Sequence, residues 1–490
     1  MKDPILPVVR EFLAQNPIPH FIDGAFTAPA NTDTHVVMNP ADATPLVTVA
    51  FAGAAEITEA VEAAERAFPA WSTMPPAERA AALHRFADLM EKNSAALAQI
   101  ESLDVGKAIS ASEAFDVPFG VEGMRYFADF SLHAHYTIPL AIKNIEAHVH
   151  RTATGVCGFI FPWNFPFDLF IWGVAPALAS GNTVVVKPSE VTPLSTLFAA
   201  RLAAEAGLPP GVLNIVTGDG PGAGVALTNH PRVRRMSFTG SPEVGARVGE
   251  ACGRRVIPCK LELGGKGAAV VLEDADVQEA AQKLASALTL NTGQVCCTAT
   301  RWVVQEKLYD PFVDAACAAL RAVKIGPGLD RTTQMGPLVS ERQRERVLGY
   351  FDKGLADGGT VLLEGGRGDF ESGYYVKPWL IAGTSANVCF REEIFGPAAC
   401  VTKFRTDEEA IALVNHIDYG LANSVWTRDI GRAREVAQKL AAGNAWINAH
   451  NVFAYGLPYG GVNRSGLGGG VNSPATFYDY LREQTIARPL

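Results

Sequence analysis

Residues 155–187 read GVCGFIFPWNFPFDLFIWGVAPALASGNTVVVK. A short apolar run, Gly155–Phe161, meets a turn bounded by Pro162 and Pro166. A segment of helix length, Phe167–Ala179, follows, and then a second β-rich run, Thr183–Lys187. Runs of this length rich in Val, Ile and Phe suit strands, and the longer segment between them suits a crossover helix. The alternation continues outward. Leu194–Ala206 reads as a helix, and Leu213–Val216, Arg235–Phe238 and Val256–Leu261 as strands. This is the signature of βαβ units around a parallel sheet.

A second series follows, with strands expected at Ala268–Leu272, Thr300–Val304, Ala398–Phe404 and Asn444–Asn448. Helices are expected at Val277–Leu290, Leu308–Val323 and Glu408–His416. Two α/β domains in succession fit a chain of 490 residues, which is too long for one core. Upstream, Ile57–Trp71 and Glu78–Ile100 carry apolar residues at helical spacing. Ala147–Arg151 alternates like an exposed strand, and so does Glu483–Ile486. Exposed strands of this kind often pair with another subunit.

Composition narrows the function. Hydrophobic residues make up 48% and charged residues 19%, as in an ordinary globular protein, and the net charge is −9. An acidic chain repels phosphate backbones, and its densest basic stretch, Arg232–Arg235, is short and interrupted, so no nucleic-acid partner is expected. The best apolar run, Phe165–Ala179, is too short for a membrane span and contains Asp168. The opening Met1-Lys2-Asp3-Pro4 has no leader pattern, so a cytoplasmic location is the expectation. Eight cysteines without a CxxC pair or a Cys/His cluster suggest neither a disulfide framework nor a metal site.

Six segments could carry chemistry. Gly293-Gln294-Val295-Cys296-Cys297 offers a thiol, the strongest common side-chain nucleophile once ionised, or simply two buried apolar cysteines. Leu261-Glu262-Leu263-Gly264-Gly265-Lys266 places a carboxylate between leucines. Burial there suits a general base, although Glu262 could instead cap the Gly-Gly turn. In Pro162-Trp163-Asn164-Phe165-Pro166 the rigid Asn164 amide is either an oxyanion donor or a helix N-cap. Lys187-Pro188-Ser189-Glu190 follows a strand directly, where open α/β sheets bind ligands. Phe238-Thr239-Gly240-Ser241-Pro242-Glu243-Val244-Gly245 opens a helix whose N-terminus favours a phosphate, but it is not the GxGxxG fingerprint. Glu393-Ile394-Phe395-Gly396-Pro397 is a further acidic turn.

Together, in this order and spacing, the six segments resemble the motifs of the aldehyde dehydrogenase superfamily, and the resemblance runs from about Phe21 to Ile486. It implies an α/β fold. A Rossmann-type dinucleotide-binding domain would span residues 1–130 and 152–263, and an α/β catalytic domain 264–464. A small β oligomerisation element would span 131–151 and 465–490. By the same similarity Cys296 is the nucleophile, Glu262 the general base and Asn164 the oxyanion donor. Lys187 and Glu190 match the adenosine-ribose contacts. Gly240 and Ser241 lie where the pyrophosphate is cradled. Phe161, Pro162, Trp163, Ser189, Gly220, Gly224, Phe238, Thr239, Val244, Leu263 and Gly264 are implied as further cofactor-binding residues. Glu393 matches the nicotinamide-ribose anchor and Phe395 packs nearby. The resemblance implies NAD, with NADP as an alternative. It also implies a small-molecule aldehyde as substrate, no metal, and a homodimer or homotetramer. A carboxylate such as Glu190 accepts from the ribose 2′-hydroxyl and repels a 2′-phosphate.

The resemblance further places Phe119, Trp172, Phe453 and Tyr459 along a substrate tunnel, with Leu169, Val295 and Cys297 nearer the nucleophile. Asp168 sits there where many relatives are apolar. It either favours a cationic aldehyde or is solvated or salt-bridged at the mouth. Gly173 stands where many relatives carry Lys, so a more open wall is expected. Asn463 replaces another Lys, and Gly469-Gly470 replace Arg-Glu. Three rivals remain to the oxidising, hydrolytic reading. A CoA-acylating enzyme is disfavoured by the presence of Glu262. An inactive structural relative is disfavoured by the complete Cys296, Glu262 and Asn164 set. An esterase activity on the same cysteine could coexist.

Overall fold

The computed structural model describes residues 4–27 and 33–490, so the Met1–Asp3 opening lies outside the described residues. Helical spacing upstream produces α1 (Ala54–Thr73), α2 (Pro76–Lys92), α3 (Ser94–Val105) and α4 (Val117–His133). The helix expected over Glu78–Ile100 is thus two, α2 and α3, meeting at Asn93. That residue is non-helical, with its backbone at φ −102° and ψ 19°.

Next come β1 (Thr137–Ile142) and β2 (Ile145–Ala153), then β3 (Val156–Ile160), α5 (Pro166–Ala179), β4 (Thr183–Lys187) and α6 (Leu194–Glu205). The series continues with β5 (Leu213–Ile215), β6 (Val233–Thr239), α7 (Pro242–Arg255) and β7 (Cys259–Glu262). The strand expected from Val256 starts later because α7 runs to Arg255 and Val256 caps it in the left-handed region, at φ 54°.

These strands form one sheet, in the order Ala25–Thr27, His20–Ile22, β5, β4, β3, β6, β7, Gly466–Leu467. Strands β3 to β7 are mutually parallel, and both outer additions are antiparallel. Strand order therefore reverses between β3 and β6, which opens a crevice beyond their carboxyl ends. Gly466–Leu467, within the 465–490 stretch expected in the oligomerisation element, pairs with β7 at the edge of this sheet.

A second sheet is built from β8 (Gly267–Val271), β9 (Ala299–Gln305), β10 (Trp379–Ala382), β11 (Ala398–Phe404), β12 (Ala422–Trp426) and β13 (Asn444–Ile447). Its order is Thr360–Leu363, β10, β11, β9, β8, β12, β13. Strands β10 and β12 and the long helix Glu341–Ala356 are not marked in the sequence, where the helix opens on six polar residues before Val347 and the strands are only short runs. A separate three-stranded sheet pairs β2 with β1 and with β14 (Leu481–Pro489), register Glu483↔Arg151 and Ile486↔His148. Ile142, Ile145 and Ile486 stand exposed on it.

A buried ionic cluster fixes the helices beneath the crevice. The Lys107 ammonium lies 2.9 Å from Glu101 and 2.7 Å from Asp116, all within 2% of full burial. Glu101 accepts from the Phe167 amide and the Ser195 hydroxyl, and Asp104 accepts from the Leu194 amide. The cluster thus pins the first turns of α5 and α6, where carboxylates suit the helix dipole. Lys107 also sits 4.1 Å above the Phe165 ring. Breaking a buried pair from one side is costly because the remaining charge stays dry. Lys107→Met should lower stability by about 3–5 kcal/mol. Lys283→Met, which unpairs the exposed Glu279, should change it by less than about 1 kcal/mol. Denaturant unfolding of the two variants checks the contrast.

Candidate active site

Every chemistry-bearing turn lies at the carboxyl edge of the first sheet or on a loop facing it. Phe161, Pro162, Trp163 and Asn164 follow β3, and Lys187, Ser189 and Glu190 follow β4. Thr239, Gly240 and Ser241 follow Phe238 at the end of β6, and Leu263, Gly264 and Gly265 follow Glu262 at the end of β7. Gly220 and Gly224 bound a turn held by Asp219, which accepts from the Gly222 amide.

The thiol loop arrives through an unusual backbone. Asn291, Thr292 and Gly293 stand in succession at φ 46°, 56° and 71°. A β-branched residue such as Thr292 is strained there. Buried polar contacts hold it: the Thr292 hydroxyl donates to Gly336 O, and Gln294 accepts from the Val339 amide. The Asn164 amide donates to Gln294 O at 3.0 Å, and Asn291 donates back to Asn164 O at 2.8 Å. Asn164 is therefore not the helix N-cap. Phe165 takes that position with no side-chain cap, and the Asn164 side chain is tied to the thiol loop instead. Its Nδ2 carries a second proton for another acceptor.

The Gly264–Gly265 turn closes on this loop. A Cβ on Gly265 would stand 2.3 Å from Cys296 O, and one on Gly264 would stand 2.3 Å from a Glu393 oxygen. Glu393, not Glu262, caps the turn, accepting from the Gly265 amide at 2.8 Å. Burial pushes Glu393 up to about 7. Glu262 is left buried with neither oxygen hydrogen-bonded, and desolvation raises it well above the ordinary carboxylate range. Lys260 opposes that rise and Cys296 adds to it. The Cys296 thiol moves the other way. Contact with Cys297, and a Tyr459 hydroxyl 3.4 Å away, favour its thiolate against the cost of burial.

The aromatic residues of this region pack into one cluster. Phe119, Trp172, Val295, Cys297 and Tyr459 pack together, with Leu169, Phe453 and Cys296 against them. Trp172 and Phe453 meet Tyr459 at ring separations of 5.5 and 5.3 Å. Phe115, Trp446 and Tyr455 join them without having been singled out. Phe115 and Tyr455 carried no motif, and Trp446 lay inside a strand. Cys297 donates to Asn451 and His450 contacts its carbonyl, so this second cysteine is engaged in holding the loop.

Two expectations for the wall are corrected. The space beside Gly173 is not open: a Cβ there would meet the Phe161 and Phe159 rings at 2.8 and 2.9 Å. Asp168 is neither solvated nor at the mouth. It is 2% exposed, beside Asp116 and Lys107, and desolvation raises it well above the ordinary range while Lys107 opposes the rise.

The crevice suits a dinucleotide. Lys187 is buried, donating to Pro188 O and Gly218 O, and lies 3.4 Å from the partly exposed Glu190. Ser241 caps α7 by accepting from the Val244 amide, and Val244 itself is 43% exposed in the first helical turn. Gly224 carries no side chain into the cleft, and a Cβ there would meet Asp219 O, the Lys187 stem and Ile160 Cδ1 at ordinary contact distances of 3.6–3.8 Å. Trp163 and Phe395 meet edge to face at 5.2 Å on the far side, with Phe395 at φ 62°. Among the described residues no cluster of His, Cys, Asp and Glu could hold a metal, and no helix is long and apolar enough to cross a membrane.

A sequence profile of the aldehyde dehydrogenase family matches residues 26–486. A mitochondrial aldehyde dehydrogenase of Leishmania tarentolae is 41% identical over 91% of this chain and 90% of its own. The phenylacetaldehyde dehydrogenase of Pseudomonas fluorescens is 38% identical over 92% of each. The solved NAD+ complex of an aldehyde dehydrogenase from Bacillus cereus superposes with a TM-score of 0.97 at 38% identity, covering 100% of both chains. The chain belongs to the aldehyde dehydrogenase family, enzymes that oxidise small-molecule aldehydes with NAD(P).

Since Tyr459 supports the Cys296 thiolate, Tyr459→Phe should raise the thiol and slow its alkylation by iodoacetamide near neutrality. A loss of one pH unit corresponds to about tenfold. The pH dependence of the alkylation rate reads this directly.

Proposed function

We propose that the chain oxidises an aldehyde to a carboxylic acid with NAD, through a thioester on Cys296 that Glu262-activated water hydrolyses. The observation that carries this reading is a pair of opposed shifts. A thiol is favoured as thiolate beside a carboxyl pushed up by burial, which separates a nucleophile from a base.

In this mechanism the Cys296 thiolate adds to the aldehyde carbon, and the carbonyl oxygen becomes an oxyanion near the free Asn164 amide proton and the Cys296 backbone N–H. Lys187, Glu190 and Glu393 would hold the two riboses, and the first turn of α7 the pyrophosphate. NAD, when bound, supplies the hydride acceptor that turns the adduct into a thioester. Glu262 then takes a proton from water as its oxygen adds to the thioester carbon, and the acid leaves with the thiolate restored. Glu190 beside Lys187 supports NAD over NADP, because a carboxylate repels a 2′-phosphate.

The tunnel rings support an aldehyde with an apolar or aromatic tail, and the enclosed Asp168, its charged form disfavoured by burial, is poorly suited to select a cationic one. Residues 1–130 with 152–263 serve as the dinucleotide-binding domain, 264–464 as the catalytic domain, and 131–151 with 465–490 chiefly as the oligomerisation element. The exposed isoleucines of the three-stranded sheet support pairing with a second subunit in a homodimer or homotetramer. A cytoplasmic location completes the reading.

Reduced-cofactor formation over aliphatic, aromatic and cationic aldehydes tests it. Cys296→Ala should abolish the signal. Asn164→Ala should slow turnover by roughly a hundredfold to a thousandfold, the worth of about 2.7–4 kcal/mol for one oxyanion donor. NADP should be the poorer acceptor, and CoA should not accelerate turnover. Asp168→Asn should leave the ranking of neutral over cationic aldehydes unchanged. Because Glu262 is raised, its base form is lost as pH falls through that raised value. Turnover should therefore decline from well above the ordinary carboxylate value of 4.5. A chain that binds NAD but reduces none of it with any aldehyde would sink the reading.

A further inference from the structure

Lys260 has no part in the mechanism above, yet it is 1% exposed and charged. It lies two residues before Glu262 on β7, so both side chains leave the same face of the strand, with roots about 6–7 Å apart. Its ammonium donates to Gly470 O at 2.6 Å and lies 2.8 Å from Asp479, whose carboxylate is one-third exposed. Arg235 on β6 stands 4.0 Å from the same carboxylate.

The segment after Ser465 is laid flat over β7 by its glycines. A Cβ on Gly468 would meet Cys259 O at 2.4 Å, and one on Gly470 would meet Tyr459 O at 2.4 Å. Gly460 completes the contact, since a Cβ there would stand 2.6 Å from Gly470 Cα and 3.3 Å from Glu262 Oε1. Bare backbone therefore separates the Lys260 site from the carboxyl. This gives the Gly469-Gly470 stretch, where the sequence departs from its relatives, a physical role: it delivers a carbonyl to Lys260 and puts no side chain of its own over Glu262.

We propose that Lys260, anchored by Asp479 and the Gly470 carbonyl, is a positioning residue whose buried charge supports ionised Glu262 and so sets the pH at which the thioester is hydrolysed. The charged groups acting on Glu262 are Lys260 from its own strand and Cys296 from the thiol loop, and they oppose each other. Burial lowers Lys260 and Arg235 adds to that, while the Asp479 carboxylate and Glu262 support its charge. Without Asp479 the ammonium gives up its proton more readily, and Glu262 loses its support. The inference rests on the base role proposed for Glu262.

The test follows steady-state turnover and the first-turnover formation of reduced cofactor against pH. The proteins are the native chain, Lys260→Met, Lys260→Arg, Asp479→Asn and Glu262→Gln. Lys260→Met should keep the first turnover and move the acid limb of steady-state turnover upward by about one pH unit or more. That is a loss of about tenfold on the limb and little on the alkaline plateau. Asp479→Asn should move it the same way by less, and Lys260→Arg should restore it. Asp479→Asn, at a partly exposed carboxylate, decides the matter if Lys260→Met does not fold. Acid limbs that coincide with the native one in the variants that fold would overturn the inference alone. Normal steady-state turnover by Glu262→Gln would instead overturn the base role, and this inference with it.

Discussion

At the Gly264–Gly265 turn two backbones approach so closely that no side chain fits between them. Gly265 lies under the Cys296 carbonyl and Gly264 under the Glu393 carboxylate. The end of the first sheet, the thiol loop and the acidic turn before β11 are brought to one place by that contact. The left-handed run Asn291–Gly293 is the complementary half of the constraint, since it turns the chain sharply enough to present Cys296 to the turn. Its strain is offset by the buried contacts of Asn291, Thr292 and Gln294.

Dryness then sets the chemistry. Glu262 is buried and Glu393 and Cys296 are half-buried, so their protonation depends on the few charges and hydroxyls within reach. Glu393 has a backbone amide and takes a modest rise; Glu262 has no hydrogen bond and takes a large one. Against burial, Glu393 has the Gly265 amide and the Lys266 and Arg346 charges, whereas Glu262 has Lys260.

A second buried cluster holds the helix starts. Glu101, paired with Lys107 beside Asp116, accepts from the Phe167 amide at the start of α5, and Asp104 accepts from the Leu194 amide at the start of α6. Those starts follow the turns bearing Asn164 and Glu190, so the cluster helps to orient residues at the crevice.

The sequence by itself determined the βαβ alternation, most strand positions between Val156 and Glu262, and the order of the six motifs, because hydrophobic periodicity and turn residues are local signals. It also marked Gly469-Gly470 as a departure. The tertiary structure alone decided which reading of each motif holds. Asn164 is tied to Gln294 and not to a helix end, and Glu393, not Glu262, caps the turn. The gap at Gly173 is filled by Phe159 and Phe161, and Lys260 stands beside Glu262 under the Gly470 carbonyl. Each of these depends on groups distant in sequence meeting in a water-poor space. Their hydrogen bonds and charges there are set by the partner that arrives, which no local pattern records.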